Sequence, residues 1–394
     1  MEAQFDRARP EDYDEVIDLA NYVFSHDHIP LDFPALLPKL YKREYFMDGI
    51  HYLAREGGRI KAVIGAYPLE WDFSTAGANA AVNALSGRGI GMVAVHPYSR
   101  SKGYMKVLMN MAMADMKKDG MVFSCLGGQR QRYEYFGFTP AGSAYTFECD
   151  TANITHTLGR EWKSGLSIKQ VDSGDTVLLD KIASMHDAKK SRLRRDRKKL
   201  FDILSSWKSE VFAVTEGNNF EGYVICKGGG KEVSEINLKD HSRMAEVSGL
   251  FLRQKNFSGQ GSINIAAGPH EPEKIAALSR FAEAYYQSPA YSFAVFDYQR
   301  FADAFIKLKI QNHPLEDGSF VIQIEDKRLK LFVDGGQSGA AETDAPADLK
   351  LDPLEAIRFL SSPLEALIHP AVKNNAFLQS LLPLPLFFEN VDEV

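Results

Sequence analysis

Arg100, Ser101, Lys102, Gly103 and Tyr104 stand one after another directly ahead of YMKVLMNMAMADMKKDG, whose apolar spacing predicts a helix ending at Gly120. Successive N–H groups at a helix start face one point. Two cations flank that point, and Gly103 lets the backbone come close to a bound group. Together these make a site for an anion such as a phosphate. An ordinary strand-to-helix turn that happens to carry an arginine and a glycine is the alternative.

The elements around the loop follow from pattern. GIGMVAV, β-rich and stopping at His96-Pro97, predicts the strand that feeds it. MVFSCLGG predicts a strand after the helix, QRQRYEYFG a short helix and AYTFECD another strand. Upstream, Val16, Ile17, Leu19, Ala20, Val23 and Phe24 recur at helical spacing behind Pro10, and HYLAREGG and RIKAVIGAYPLEW form a hairpin about Gly57-Gly58. The pattern restarts near 150: strand LSIKQVD, a helix near 175–187, a basic helical run over 188–204, strands VFAVTEG and FEGYVICKG, and a helix EPEKIAALSRFAEAYY. A third unit opens near 291 with a helix around DYQRFADAFIKL, strands SFVIQIED and RLKLFVDGG, a connection QSGAAETDAPAD and an apolar tail, LPLPLFFENVDEV. A tail this rich in Leu and Phe is expected to pack rather than stay in water.

The stretch 89–138 resembles the GNAT acetyltransferases, whose phosphate loop reads Gln/Arg-x-x-Gly-x-Gly/Ala after a strand containing V-x-V. Val93-Ala94-Val95 and Arg100-Ser101-Lys102-Gly103 match. Met105 stands where the family has Gly or Ala. The resemblance implies acetyl-CoA as cosubstrate: the backbone of Val93 and Val95 pairs with the pantetheine arm, while Arg100, Ser101, Lys102, Gly103 and Tyr104 hold the pyrophosphate. The family's second mark is a Tyr five residues before an aromatic, matched by Tyr133-Glu134-Tyr135-Phe136-Gly137-Phe138. It implies Tyr133 as the general acid that protonates the departing thiolate. Tyr135 is a neighbour that could be taken for it, and simple packing of the turn is the alternative.

The whole-chain layout resembles the enhanced-intracellular-survival (Eis) group of bacterial acetyltransferases. That implies a catalytic GNAT domain over 1–150, a second diverged GNAT-like domain over 151–290 and a sterol-carrier-protein-like α+β unit over 291–394, an α/β chain built on mixed sheets. It also implies that the terminal carboxylate, here that of Val394, reaches back as general base. The ending Asn390-Val391-Asp392-Glu393-Val394 departs from the aromatic ending common in the group, and a frayed acidic tail is the alternative. The implied reaction is direct acetyl transfer, in a ternary complex, to a primary amine of a cationic small molecule (aminoglycoside- or polyamine-like) or of lysine. Phe24, Asp27 and Glu393 are the acceptor-side candidates, and a homo-oligomer fits the resemblance. A non-catalytic module that senses CoA, or binds an apolar ligand or partner, is the reading from another class.

Composition bounds these readings. The chain has 394 residues, with 46 Lys and Arg against 52 Asp and Glu, a net charge of −6 that offers no general attraction to nucleic acid or anionic lipid. Three cysteines without CxxC spacing suit a reducing compartment, no apolar run approaches a membrane span, and a cytoplasmic protein is expected. No metal is expected, since His26-Asp27-His28 is too small a set for one. The cations of AKKSRLRRDRKK read as a solvated or interface-facing helix, Gly87-Arg88-Gly89-Ile90-Gly91 is not a dinucleotide fingerprint because it precedes its strand, and Cys125 reads as core.

Overall fold

The computed structural model describes residues 3–26, 30–74, 82–255 and 261–394. It is a mixed α/β molecule of three sheets, as the sequence predicts. The first sheet uses β1 (Gln4–Arg7), β2 (His51–Glu56), β3 (Arg59–Ser74), β4 (Val82–Val95), β5 (Phe123–Leu126) and β6 (Thr139–Ala141). β2 and β3 pair antiparallel about Gly57-Gly58, both at positive φ, which makes the predicted hairpin. The helix Tyr13–His26, α1, buries Val16, Ile17, Leu19, Ala20 and Val23 and covers part of this sheet, and the helix Tyr104–Lys118 buries Leu108, Met109, Ala112 and Met116.

Two strands cross the expected unit boundaries. β7 (Ala144–Asp150) leaves the first sheet and pairs between Ser262–Ala267 and Ala284–Ser288 in the second. Conversely, Tyr291–Val295 enters the first sheet between β5 and β6. Each sheet is thus completed by a strand from the far side of a boundary set at 150 or 290, and the borrowed strand finds a ladder partner on each side. The two sheets also share a motif. One parallel pair sits in each, β4 with β5 in the first and Glu232–Leu238 with Ser262–Ala267 in the second. The third sheet (Gly318–Ile324, Lys327–Asp334, Gln337–Glu342, Leu349–Leu351) packs under the helices Tyr298–Ile310 and Pro353–Ser361.

Three sequence expectations need correction. The basic run is not a helix: Ser191–Leu193 is a strand against Trp71–Phe73 of β3, and regular helix begins only at Leu200. The helix expected over 271–286 stops at Leu278, because Ala284–Ser288 gains a ladder on β7 that outweighs local helix propensity. QSGAAE is a strand and not a connection, turned back on Lys327–Asp334 by Gly335 and Gly336 at positive φ. No helix among the described residues is long and apolar enough to cross a membrane.

Candidate active site

The site begins where two strands part. β4 and β5 run parallel, yet they pair only through Gly87–Gly89 against Phe123–Cys125. Beyond Gly89 the side of β4 that faced β5 has no strand neighbour, so its backbone groups are open to a ligand lying along them. A bulge opens β4 further: Met92 and Val93 together stand opposite Ile64, and Met92 takes φ +49°. The result is a cavity of about 1380 Å³ that runs from the loop after β4 to the end of α1. Val93 and Val95 lie on its wall, as the V-x-V pattern implies.

At one end lies the loop from Arg100 to Tyr104. Ser101 and Gly103 hold φ of +67° and +81°, Gly103 caps the helix Tyr104–Lys118, and the first intrahelical bond runs from Val107 N–H to Gly103 C=O at 3.2 Å. The amides of Tyr104, Met105 and Lys106 lie ahead of that bond, at the positive end of a 15-residue helix. Arg100, Lys106 and Arg132 line this end of the cavity and give it positive charge. Lys102 departs from its expected place. Its ammonium is held by both Glu56 carboxylate oxygens at 2.7 and 2.8 Å and is not on the cavity wall, so it contributes backbone and not charge. Tyr104 donates to the same Glu56 at 3.2 Å while its ring reaches the cavity.

Tyr133 ends the short helix Arg130–Tyr133, 9 % exposed, with its ring edge-on to Phe138. Burial raises its phenol above the ordinary tyrosine value, which keeps the proton on the oxygen through neutral pH. Gly128 makes room for it, since a Cβ there would collide with the Tyr133 ring. Tyr135 is 89 % exposed at the rim, so geometry separates the two tyrosines that the motif left side by side.

The tail is anchored, not frayed. Leu384, Leu386, Phe387 and Phe388 are buried, and the Phe388 ring sits in an aromatic cluster with Trp71, Tyr291 and Phe293. Farther on, charge takes over. Lys189 Nζ lies 2.6 Å from both Glu389 and Glu235, Arg195 bonds Asp392 at 2.8 and 2.9 Å and Glu235 at 2.7 Å, and Lys39 donates to the Val391 carbonyl at 2.7 Å. Two cations of the basic run thus serve as buried clamps for the tail. Val394 then lies on β4: a Cβ on Gly89 would collide with its side chain, and one on Gly91 would come within 3.4 Å of its carboxyl carbon. Gly89 and Gly91 fall two apart on one face of β4, forming a groove for that residue. The sequence carries this signal in GRGIG, whose alternating glycines leave one face of β4 without side chains.

Of the acceptor-side candidates, Phe24 lines the cavity, edge-on to Phe33. Glu393 is not on the wall. It is mostly buried, its carboxyl is pushed up by that burial, and the cations nearest it are Lys227 and Lys39. Asp27 and His28 lie outside the described residues, and His26 ends α1 stacked on Tyr22. Trp207, which sequence reasoning passed over, reaches the cavity from beyond residue 150. Among the described residues no group of three or more His, Cys, Asp or Glu is placed to hold a metal.

Residues 4–141 match the acetyltransferase (GNAT) domain family. No curated protein matches the chain. Solved structures do. A conserved protein of Enterococcus faecalis V583 described as a probable N-acyltransferase superposes with a TM-score of 0.70 at 18 % identity, over 99 % of this chain and all of that one. A GCN5-related N-acetyltransferase of Kribbella flavida gives 0.63 at 16 %, over 98 % and 99 %, and Eis1 of Mycobacterium abscessus gives 0.60 at 12 %, over 97 % of each chain. At such identities the likeness is one of fold.

Proposed function

We propose, from the match of residues 4–141 to the acetyltransferase (GNAT) domain family, that the chain is an N-acetyltransferase that uses acetyl-CoA, with a site that works as follows. The cosubstrate lies in the parted strands, its pantetheine arm along Val93 and Val95 and its phosphates on the loop from Arg100 to Tyr104. The observation that carries the reading is that one cavity joins that loop, the buried Tyr133 and Val394. An amine entering from the α1 end gives up a proton to the Val394 carboxylate and attacks the thioester carbon. As the C–N bond forms and the C–S bond breaks, the second N–H proton passes to water, the Tyr133 phenol protonates the sulfur, and the Val394 carboxyl releases its proton to solvent. Acetyl amide and free thiol depart, and Tyr133 recovers its proton from solvent. No covalent enzyme intermediate is needed, because donor and acceptor occupy the two ends of one cavity.

The third unit, 291–394, is read as a sterol-carrier-like scaffold whose buried Ile322, Leu331, Leu360 and Leu378 share one apolar core with Trp71 and Phe123 of the first sheet while it delivers the tail. A cytoplasmic setting suits Cys125, Cys149 and Cys226, all buried and unpaired.

Isothermal calorimetry with acetyl-CoA, followed by a thiol-release assay over a set of amines, tests the reading. Binding with amine-dependent release is expected. Binding with no release would favour the CoA-sensing module, and absence of binding would remove both.

A further inference from the structure

The acceptor half of the cavity differs from the one a polycation needs. Its wall is Phe24, Phe33, Leu36, Leu37, Tyr41 and Trp207, and among the described residues no Asp or Glu side chain lines it. The tail brings three acidic side chains close and spends all of them elsewhere: Glu389 on Lys189, Asp392 on Arg195, and Glu393 off the wall. Among the described residues, what remains there for a cation is the Val394 carboxylate. The charged side chains on the cavity wall, Arg100, Lys106 and Arg132, belong to the phosphate end and repel a second ammonium.

Trp207 gives the pocket its shape. It sits at φ +60°, ψ +31°, and Lys208 follows at φ +55°, a pair of left-handed residues that bulky side chains avoid. Such a conformation persists where packing over-determines it, and here it holds the indole in the cavity wall. Lys227 already lies 5.6 Å from the indole centroid, so the ring's attraction for a cation is engaged.

Resting on the reading of this site as N-acetyl transfer, we infer that the acceptor is a monoamine carried on an apolar or aromatic body, and not the aminoglycoside- or polyamine-like polycation that the resemblance implies. One ammonium meets one carboxylate, and the rest of the molecule fills an apolar pocket. A further ammonium would be buried without a counter-charge.

The test uses the full chain and acetyl-CoA with propylamine through hexylamine, 2-phenylethylamine, spermidine and an aminoglycoside as acceptors, reading kcat/KM. Each added methylene in the alkyl series is expected to raise kcat/KM by about 4-fold until the pocket is full. The expectation for 2-phenylethylamine is to exceed spermidine and the aminoglycoside by ~100-fold. Trp207→Ala should raise KM for 2-phenylethylamine about 10-fold with the acetyl-CoA Kd unchanged, and Trp207→Phe should keep KM within about 3-fold of the parent. A flat alkyl series, a preference for either polycation, or acetyl-CoA binding without acetylation of any of these amines would each overturn the inference. Failure of acetyl-CoA itself to bind would instead overturn the underlying reading, so the two failures are distinct.

Discussion

Tyr133 and Tyr135 are two residues apart and chemically identical, and burial sets them apart. A phenol 9 % exposed is held in one direction by its surroundings, whereas one 89 % exposed is not. Tyr133→Phe is therefore expected to lower kcat by about 10²-fold with acetyl-CoA affinity nearly unchanged, and Tyr135→Phe to leave both alone, as steady-state kinetics and calorimetry would report. Loss of acetyl-CoA affinity in Tyr133→Phe would mean that the phenol is structural. Gly89 makes a sharper test, because it lies outside the loop from Arg100 to Tyr104 and a Cβ there would collide with Val394. Gly89→Ala pushes that residue off β4 and should reduce kcat by at least about 10-fold at unchanged acetyl-CoA Kd. Appending a single glycine after Val394 shifts the carboxylate by about 3.8 Å and should do the same. Full activity in the extended protein would dismiss Val394 as the base.

Among the elements, the tail depends on strands and loops that hold its charges. Arg195 has a side chain 2 % exposed between Glu235 and Asp392, and Lys189 bridges Glu235 and Glu389. Attraction from both carboxylates holds Arg195 fully charged against the pull of burial, and the two cations hold Glu235 well below the usual carboxylate range in spite of its own burial. Removing one member leaves charges buried without partners, typically a loss of 3–5 kcal/mol. Arg195→Ala should lower the unfolding midpoint accordingly in a denaturant titration. Asp392→Asn, a milder change, should loosen the tail alone, so that kcat falls while acetyl-CoA affinity and the unfolding midpoint of the rest stay close to the parent. An unchanged kcat in Asp392→Asn would show that the clamp does not position Val394.

For the whole molecule, pH acts through groups scattered over separate sheets. His51 and His270 are buried and their pKa values are pushed down to about 4. Unfolded, they bind protons near 6.5, so between roughly 6.5 and 4 the unfolded chain holds more protons than the folded one. Stability is then fully present above that window and lost as pH falls through it, by roughly 3 kcal/mol for each histidine. Glu389, pushed up to about 7 by burial against the pull of Lys189 and Lys274, acts in the opposite sense, its contribution fading as pH rises toward 7. Two histidines outweigh one carboxyl. The urea midpoint is expected to be lower at pH 5 than at pH 7.5, and His270→Gln should shrink that difference.

What the sequence alone determined lies close together along the chain. The loop from Arg100 to Tyr104, its strand and helix, the short helix bearing Tyr133 and the hairpin turn at Gly57-Gly58 each depend on neighbours within a few residues, where periodicity, helix capping and glycine conformation operate. Tertiary structure decided the rest, for reasons no local pattern carries. AYTFECD reads correctly as a strand and Tyr291–Val295 does not read as one, and the pairing of both across the boundaries depends on which open edges meet in space. Lys189 and Arg195 look like any solvated cations until Glu235, Glu389 and Asp392 arrive from as far as 200 residues away. The acidic tail suggested a pocket for cations; packing turned its carboxyl side chains away and left Val394 against the glycines of β4, facing an apolar wall closed by Trp207.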